Sequence, residues 1–122
     1  MARILFVDDD HLTLETYNTI MSYFGHESYL ADSGMLAIEL AEQQSPDFIV
    51  VDMNMPDMHG FDVLRRLRKN PLTAGIPAMM VSASPEAVAE GALAVGAQEY
   101  RCKPVRPDEL LEVIEKYTTG NA

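Results

Sequence analysis

The chain has 122 residues, 48% of them apolar and 23% charged, enough for one domain with a substantial core. Nine Lys and Arg against 19 Asp and Glu leave a net charge of −10, which argues against nucleic acid or an anionic membrane as the main partner. No stretch approaches the ~18 apolar residues of a membrane span, the N-terminus has no secretory pattern, and the single Cys102 excludes an internal disulfide, so a cytoplasmic location is expected.

Short apolar runs alternate with helical patterns. Residues 4–7 read as a strand that ends in the acidic cluster Asp8-Asp9-Asp10. Leu14, Tyr17, Met21 and Phe24 then recur at spacings of three and four, predicting an amphipathic helix over residues 11–24 that Gly25 ends. Asp10 suits the N-cap of that helix. Residues 27–31 form a more polar strand, expected at a sheet edge, and Ser33 caps a helix with Leu36, Ala37, Leu40 and Ala41 inward. Pro46 stops that helix, and the unbroken apolar run Phe48-Ile49-Val50-Val51 reads as a central strand ending at Asp52.

Gly60 precedes a helix with Phe61, Leu64 and Leu67 inward, and the cations Arg65, Arg66, Arg68 and Lys69 suit its C-terminal end. Residues 77–81 are the next strand. A helix starts at Pro85 and extends to Val95; Gly91 within it costs ~1 kcal/mol relative to alanine, which makes it a plausible moving part. Residues 99–102 form a short strand and residues 107–117 the last helix, with Leu110, Leu111, Ile114 and Tyr117 inward. Arg106 is a poor cap for it, whereas Asp108 and Glu109 suit its first turn. Strict alternation implies a parallel sheet covered on both faces, with the strand-end loops of one edge lining a shared crevice.

That crevice collects the chemistry. Asp8, Asp9 and Asp52 follow apolar strands, Ser82 follows a third and Lys103 a fourth. Carboxylates, a hydroxyl and an ammonium at successive strand ends suit Mg²⁺ and a phosphoryl group.

The motifs Phe6-Val7-Asp8-Asp9-Asp10, Val51-Asp52-Met53-Asn54-Met55-Pro56-Asp57-Met58-His59-Gly60, Val81-Ser82-Ala83, Gly96-Ala97-Gln98-Glu99-Tyr100 and Lys103-Pro104 occur in order. The chain thereby resembles the receiver domains of two-component response regulators over residues 2–117. The resemblance implies an α/β, flavodoxin-like three-layer sandwich, with a five-stranded parallel sheet in the order 2-1-3-4-5 and five flanking helices. It implies a receiver domain over residues 1–119 with a short tail at 120–122, and a signalling switch, not an enzyme. Asp52 is then the phospho-acceptor, Lys103 and Ser82 hold phosphoryl oxygens, and Ser82 and Tyr100 form the switch. Mg²⁺ (or Mn²⁺) would sit on Asp9 and Asp52, with Asp8 acting through water and the Asn54 backbone carbonyl completing the set. The implied donor is a sensor histidine kinase or histidine phosphotransfer protein. The implied recipient is a downstream effector or an output domain, reached through the fourth helix, fifth strand and fifth helix, with no direct contact to nucleic acid or membrane. A cis Lys103–Pro104 bond is implied too.

Each role is chemically sound. A carboxylate oxygen can attack phosphorus, a divalent cation offsets the repulsion between two anions, and a lysine supplies a compact point charge. Asn54 and Ser84 flank the place an attacking water would occupy. His59 stands where the family usually has an acid or amide, with no consequence for the catalytic roles.

Other readings compete. Asp8 and Asp10 form the D-x-D of a haloacid-dehalogenase-type phosphatase, but no acidic pair follows Lys103 at a strand end and the chain is short for that class. A flavin or nucleotide module would need a Gly/Ser/Thr-rich loop after the first strand, where the three aspartates stand. An unphosphorylated interaction module would not need the complete acceptor set. Tyr100 reads equally as a half-buried strand aromatic, Cys102 as an inert buried thiol, and the methionines as core filling. The three histidines share no zinc-ligand spacing.

Overall fold

The computed structural model describes residues 1–83 and 91–118. Strands β1 (Arg3–Val7), β2 (Glu27–Ala31), β3 (Phe48–Asp52), β4 (Ala78–Ser82) and β5 (Glu99–Cys102) form one sheet in the order β2-β1-β3-β4-β5, every pairing parallel. The connections carry α1 (His11–Tyr23), α2 (Gly34–Gln44), α3 (Gly60–Lys69), α4 (residues 91–94) and α5 (Pro107–Thr118). Ser84, the expected helix start at Pro85 and residues 119–122, which include the expected tail at 120–122, lie outside the described residues.

The position of each strand follows from its polarity. β3 and β4 are buried at every residue and lie in the interior of the sheet, whereas β2 and β5, with polar and half-exposed residues, form its edges. Because strand side chains alternate, each inner strand feeds two cores. Leu5, Val7, Ile49, Val51, Ala78 and Met80 pack with Ala37 and Ala41 of α2, Val63, Leu64 and Leu67 of α3, and Ala92 of α4. Ile4, Phe6, Phe48, Val50, Met79 and Val81 pack on the other face with α1 and α5. The Tyr17 ring stacks on Phe6 there, centroids 4.6 Å apart.

Two apolar expectations are corrected. Phe24 is the C-cap of α1 and 50% exposed, lying edge-on to Tyr23. The helix stops at Tyr23 and the chain turns through Gly25 at φ +80°, so the side chain after the last helical residue leaves the inward stripe. Cys102 is exposed, because it is the last residue of an edge strand.

Arg68 lies in the last turn of α3, as its charge led one to expect, and has a further specific role. Its half-buried guanidinium donates to the carbonyl of Gly96 at 2.8 and 3.1 Å and to that of Ala74 at 3.2 Å. Gly96 itself has φ +101°, and a Cβ there would lie 2.9 Å from Arg68 Nε.

Gly91 has a steric role beyond its low helix propensity. A Cβ at that position would lie 2.5 Å from Cζ of Phe61, so the ring of α3 occupies the space a side chain would take. Gly91→Ala is therefore expected to destabilise the protein by about 1 kcal/mol, despite the propensity gain. In a Phe61→Ala background the same substitution should be neutral or stabilising. Urea denaturation of the four proteins measures the coupling, and additive effects would refute the contact.

Candidate functional site

The strand order makes neighbours of the segments that carry the polar residues. Asp8 and Asp9 follow β1, Asp52 ends β3, Ser82 ends β4 and Lys103 follows β5, and these four strands are adjacent in the sheet. The ladder reaches into the loops: Asp8 N–H donates to Ala31 O at 3.0 Å, Met53 N–H to Val81 O at 3.0 Å and Lys103 N–H to Ser82 O at 2.8 Å. Rigid backbone thus holds the start of each loop.

Carboxylate oxygens of Asp8, Asp9 and Asp52 lie within 4.8 Å of one another. Asp8 and Asp52 are buried, at 1% and 6% exposure, while Asp9 faces solvent. Lys103 Nζ sits 3.0 Å from Asp8 Oδ2 and 3.1 Å from Asp52 Oδ1, and the Lys103–Pro104 peptide is cis. Three carboxylates therefore face one ammonium. Burial pushes the Asp52 carboxyl above its ordinary range, and the neighbouring charge of Asp8 pushes it the same way, against the pull of Lys103. Burial works against the charge of Lys103, yet its hydrogen bond to Asp8 and the charge of Asp52 raise it overall. The buried Tyr17 phenol is pushed up to about 12 by desolvation and then by Asp8.

The acid group fits a hard divalent cation. It offers only carboxylate oxygens, drawn from separate segments, with an excess of negative charge that one lysine does not balance.

The remaining expected residues take varied places. Ser82 is buried at the end of β4 and pairs in register with Cys102. Tyr100 lies two residues back on β5, opposite Met80 and half-buried against the core beneath α4. Asn54 is two residues past Asp52 and bridges to His59 across the loop. Asp10 caps α1, accepting from Leu12 N–H and the Thr13 hydroxyl, both at 3.0 Å.

Three residues at the entry to α3 take roles beyond those expected from the sequence. Gly60 is required by close approach, since a Cβ there would lie 2.7 Å from Asp52 O and 2.8 Å from Met53 Cα. His59 caps α3, its Nδ1 accepting from Phe61 N–H at 3.1 Å; its place just before the helix start was a readable signal. Asp57 accepts from the N–H groups of Gly34 and Met35 at 2.9 and 3.2 Å, which hold its carboxyl below the ordinary range, Gly34 most. No local signal links residues so far apart in the chain.

On the face expected to meet a partner, Glu99 collects Arg101 at 3.1 Å and Lys116 at 2.9 Å and accepts from the Tyr117 hydroxyl, while Arg101 also reaches Glu109 at 3.4 Å. Burial works against the charge of Glu99, but these bonds, Tyr117 foremost, lower its pKa overall.

Residues 4–115 match the family model of the response regulator receiver domain. The chain is 32% identical over 121 residues to protein PilH of Pseudomonas aeruginosa PAO1, an alignment covering 98% of this chain and 100% of PilH. It is 34% identical to the cell cycle transcriptional regulator CtrA of Caulobacter vibrioides over 89% of its length, but spans only 47% of that longer protein. Among solved structures, the CheY-like receiver domain protein of Methanospirillum hungatei JF-1 is similar at a TM-score of 0.88 and 31% identity, covering 95% of this chain and 92% of that one.

Proposed function

This chain belongs to the response regulator receiver domain family, and from that premise we propose that Asp52 accepts a phosphoryl group from a phosphohistidine of a sensor kinase or phosphotransfer protein. The observation that carries the reading is the Lys103 ammonium, held between the buried carboxylates of Asp8 and Asp52 with Asp9 in the same group.

An Asp52 carboxylate oxygen attacks phosphorus as the bond to the donor's imidazole nitrogen breaks, and the nitrogen keeps the electron pair. Asp9 and Asp52, with Asp8 through water and the Asn54 backbone carbonyl, would hold Mg²⁺ or Mn²⁺, which supplies positive charge against the repulsion between the carboxylate and the phosphoryl oxygens. Lys103 exchanges its contact with Asp52 for one with a phosphoryl oxygen, keeping Asp8 as its second partner. Ser82 donates its hydroxyl to another phosphoryl oxygen. Its movement lets Tyr100, two rows back on the neighbouring strand, turn inward and alter the face of α4, β5 and α5.

That face then controls an effector or an output domain. The receiver unit spans residues 1–119, followed by a tail, and works in the cytoplasm without direct contact to nucleic acid. The phosphatase reading is weakened by Asp10, whose carboxylate caps α1 where an acid–base would be needed.

Incubation with acetyl phosphate and millimolar Mg²⁺ should add one phosphoryl group, located on Asp52 by peptide mass spectrometry after reductive trapping. Label on Asp8, or none with Mg²⁺ present, would overturn the assignment.

A further inference from the structure

We propose that Asp57 is a positioning residue for the acceptor loop: by clasping the first amides of α2 it fixes the backbone beside Asp52 and thereby sets the affinity of the acidic group for Mg²⁺. This deepens the acceptor reading and rests on it.

The loop between β3 and α3 is anchored at its base. Met53 N–H reaches Val81 O, Gly60 N–H donates to Met53 O at 2.6 Å, and Asn54 bridges to His59. Its apex, Pro56-Asp57-Met58, takes no part in those bonds, although Met58 packs against the core. Asp57 ties it down through Oδ1 to Gly34 N–H and Oδ2 to Met35 N–H. Met58 completes the seat, because Gly34 leaves room that a Cβ would fill at 2.8 Å from Met58 Cβ.

Helix α2 does not need this carboxylate for its own sake. Ser33 already caps it, Oγ accepting from Leu36 N–H at 3.2 Å. The amides of Gly34 and Met35 are thus left to a remote acceptor, and the consequence of the clasp falls on the loop. Both Asp57 oxygens are engaged with backbone, and Asp57 is not in the acid group, so it acts through the loop that contains Asn54 and not as a ligand.

The test compares the full chain with Asp57→Ala and Asp57→Asn. It reads Mg²⁺ affinity by calorimetry, the Mg²⁺ dependence of acetyl phosphate labelling, and amide hydrogen exchange at Gly34 and Met35. Asp57→Ala should raise the half-saturating Mg²⁺ concentration about tenfold, while the rate at saturation stays within about twofold and both amides lose protection. Asp57→Asn keeps one oxygen acceptor and should shift the concentration by about threefold. An unchanged Mg²⁺ dependence in Asp57→Ala overturns the proposal. So does Asp57→Asn as impaired as Asp57→Ala with both amides still protected, since charge alone would then explain the effect. If Asp57→Ala fails to fold, Asp57→Asn decides: a shift with faster exchange supports the clasp, and no shift refutes it. Wild-type protein that takes neither metal nor label would sink the acceptor reading itself, a result distinct from all of these.

Discussion

Asp52→Asn should lose phosphoryl uptake almost entirely, with the rate of labelling by acetyl phosphate falling by more than about a thousandfold. An amide oxygen lacks the charge of the nucleophile, and among the described residues no other carboxylate is placed to stand in: Asp8 is bound to Lys103 and to Asp10 N–H, and Asp9 faces solvent. The same substitution should leave the fold more stable in metal-free buffer, by about 1 kcal/mol near neutral pH. The sign follows from the raised pKa of the buried Asp52 carboxyl. Below the unfolded-state value of about 3.9 the group is protonated in both states and contributes nothing. As pH rises from there through the folded-state value, ionisation opposes folding, and the penalty is complete above it. Urea denaturation of both proteins across this range should therefore show the advantage of Asp52→Asn growing with pH and vanishing in acid. A variant that labels at the wild-type rate, or whose stability advantage does not depend on pH, would contradict this account.

Lys103→Ala should have the largest effect on stability at the site. Without metal it leaves two buried carboxylates facing each other with no cation, and removing one partner of such a cluster costs about 3 kcal/mol. The raised pKa of Lys103 gives the direction with pH. Its contribution is fully present below the unfolded value of about 10.4 and is lost as pH rises through the folded value. Deletion should therefore cost most at neutral pH. In acid the two carboxyls take up protons and the difference from wild type shrinks. Saturating Mg²⁺ should restore part of the loss, because it binds only the native arrangement of acids. Labelling should fall even when the metal restores stability, since no ammonium then meets the phosphoryl oxygen. Calorimetric melting with and without Mg²⁺ separates the two losses, and equal stability of variant and wild type without metal would refute the charge balance described above.

Much of this was readable from the chain because the site sits where secondary structure ends. An apolar run that stops at Asp52 fixes both the burial of β3 and the place of the carboxylate, and the same holds for Asp8 after β1 and Ser82 at the end of β4. Asp10 and Ser33 were legible as caps because capping is local. Contacts between distant segments were not legible. Asp57 on α2, Phe61 over Gly91 and Arg68 across to Gly96 each depend on how helices pack, which no period in the sequence encodes. The apolar pattern misled at Phe24 and Cys102 for a related reason: each lies at the end of an element, where direction changes and hydrophobicity no longer predicts orientation.

The grip of Arg68 on the Gly96 carbonyl makes the far end of α4 a hinge post. A rotation of residues 91–94 about that post would keep the guanidinium on Gly96, whereas a bodily slide would leave a half-buried cation with the Ala74 carbonyl and without its shortest bond. Any travel of this segment would thus be steered toward rotation, in the way a door turns on its post.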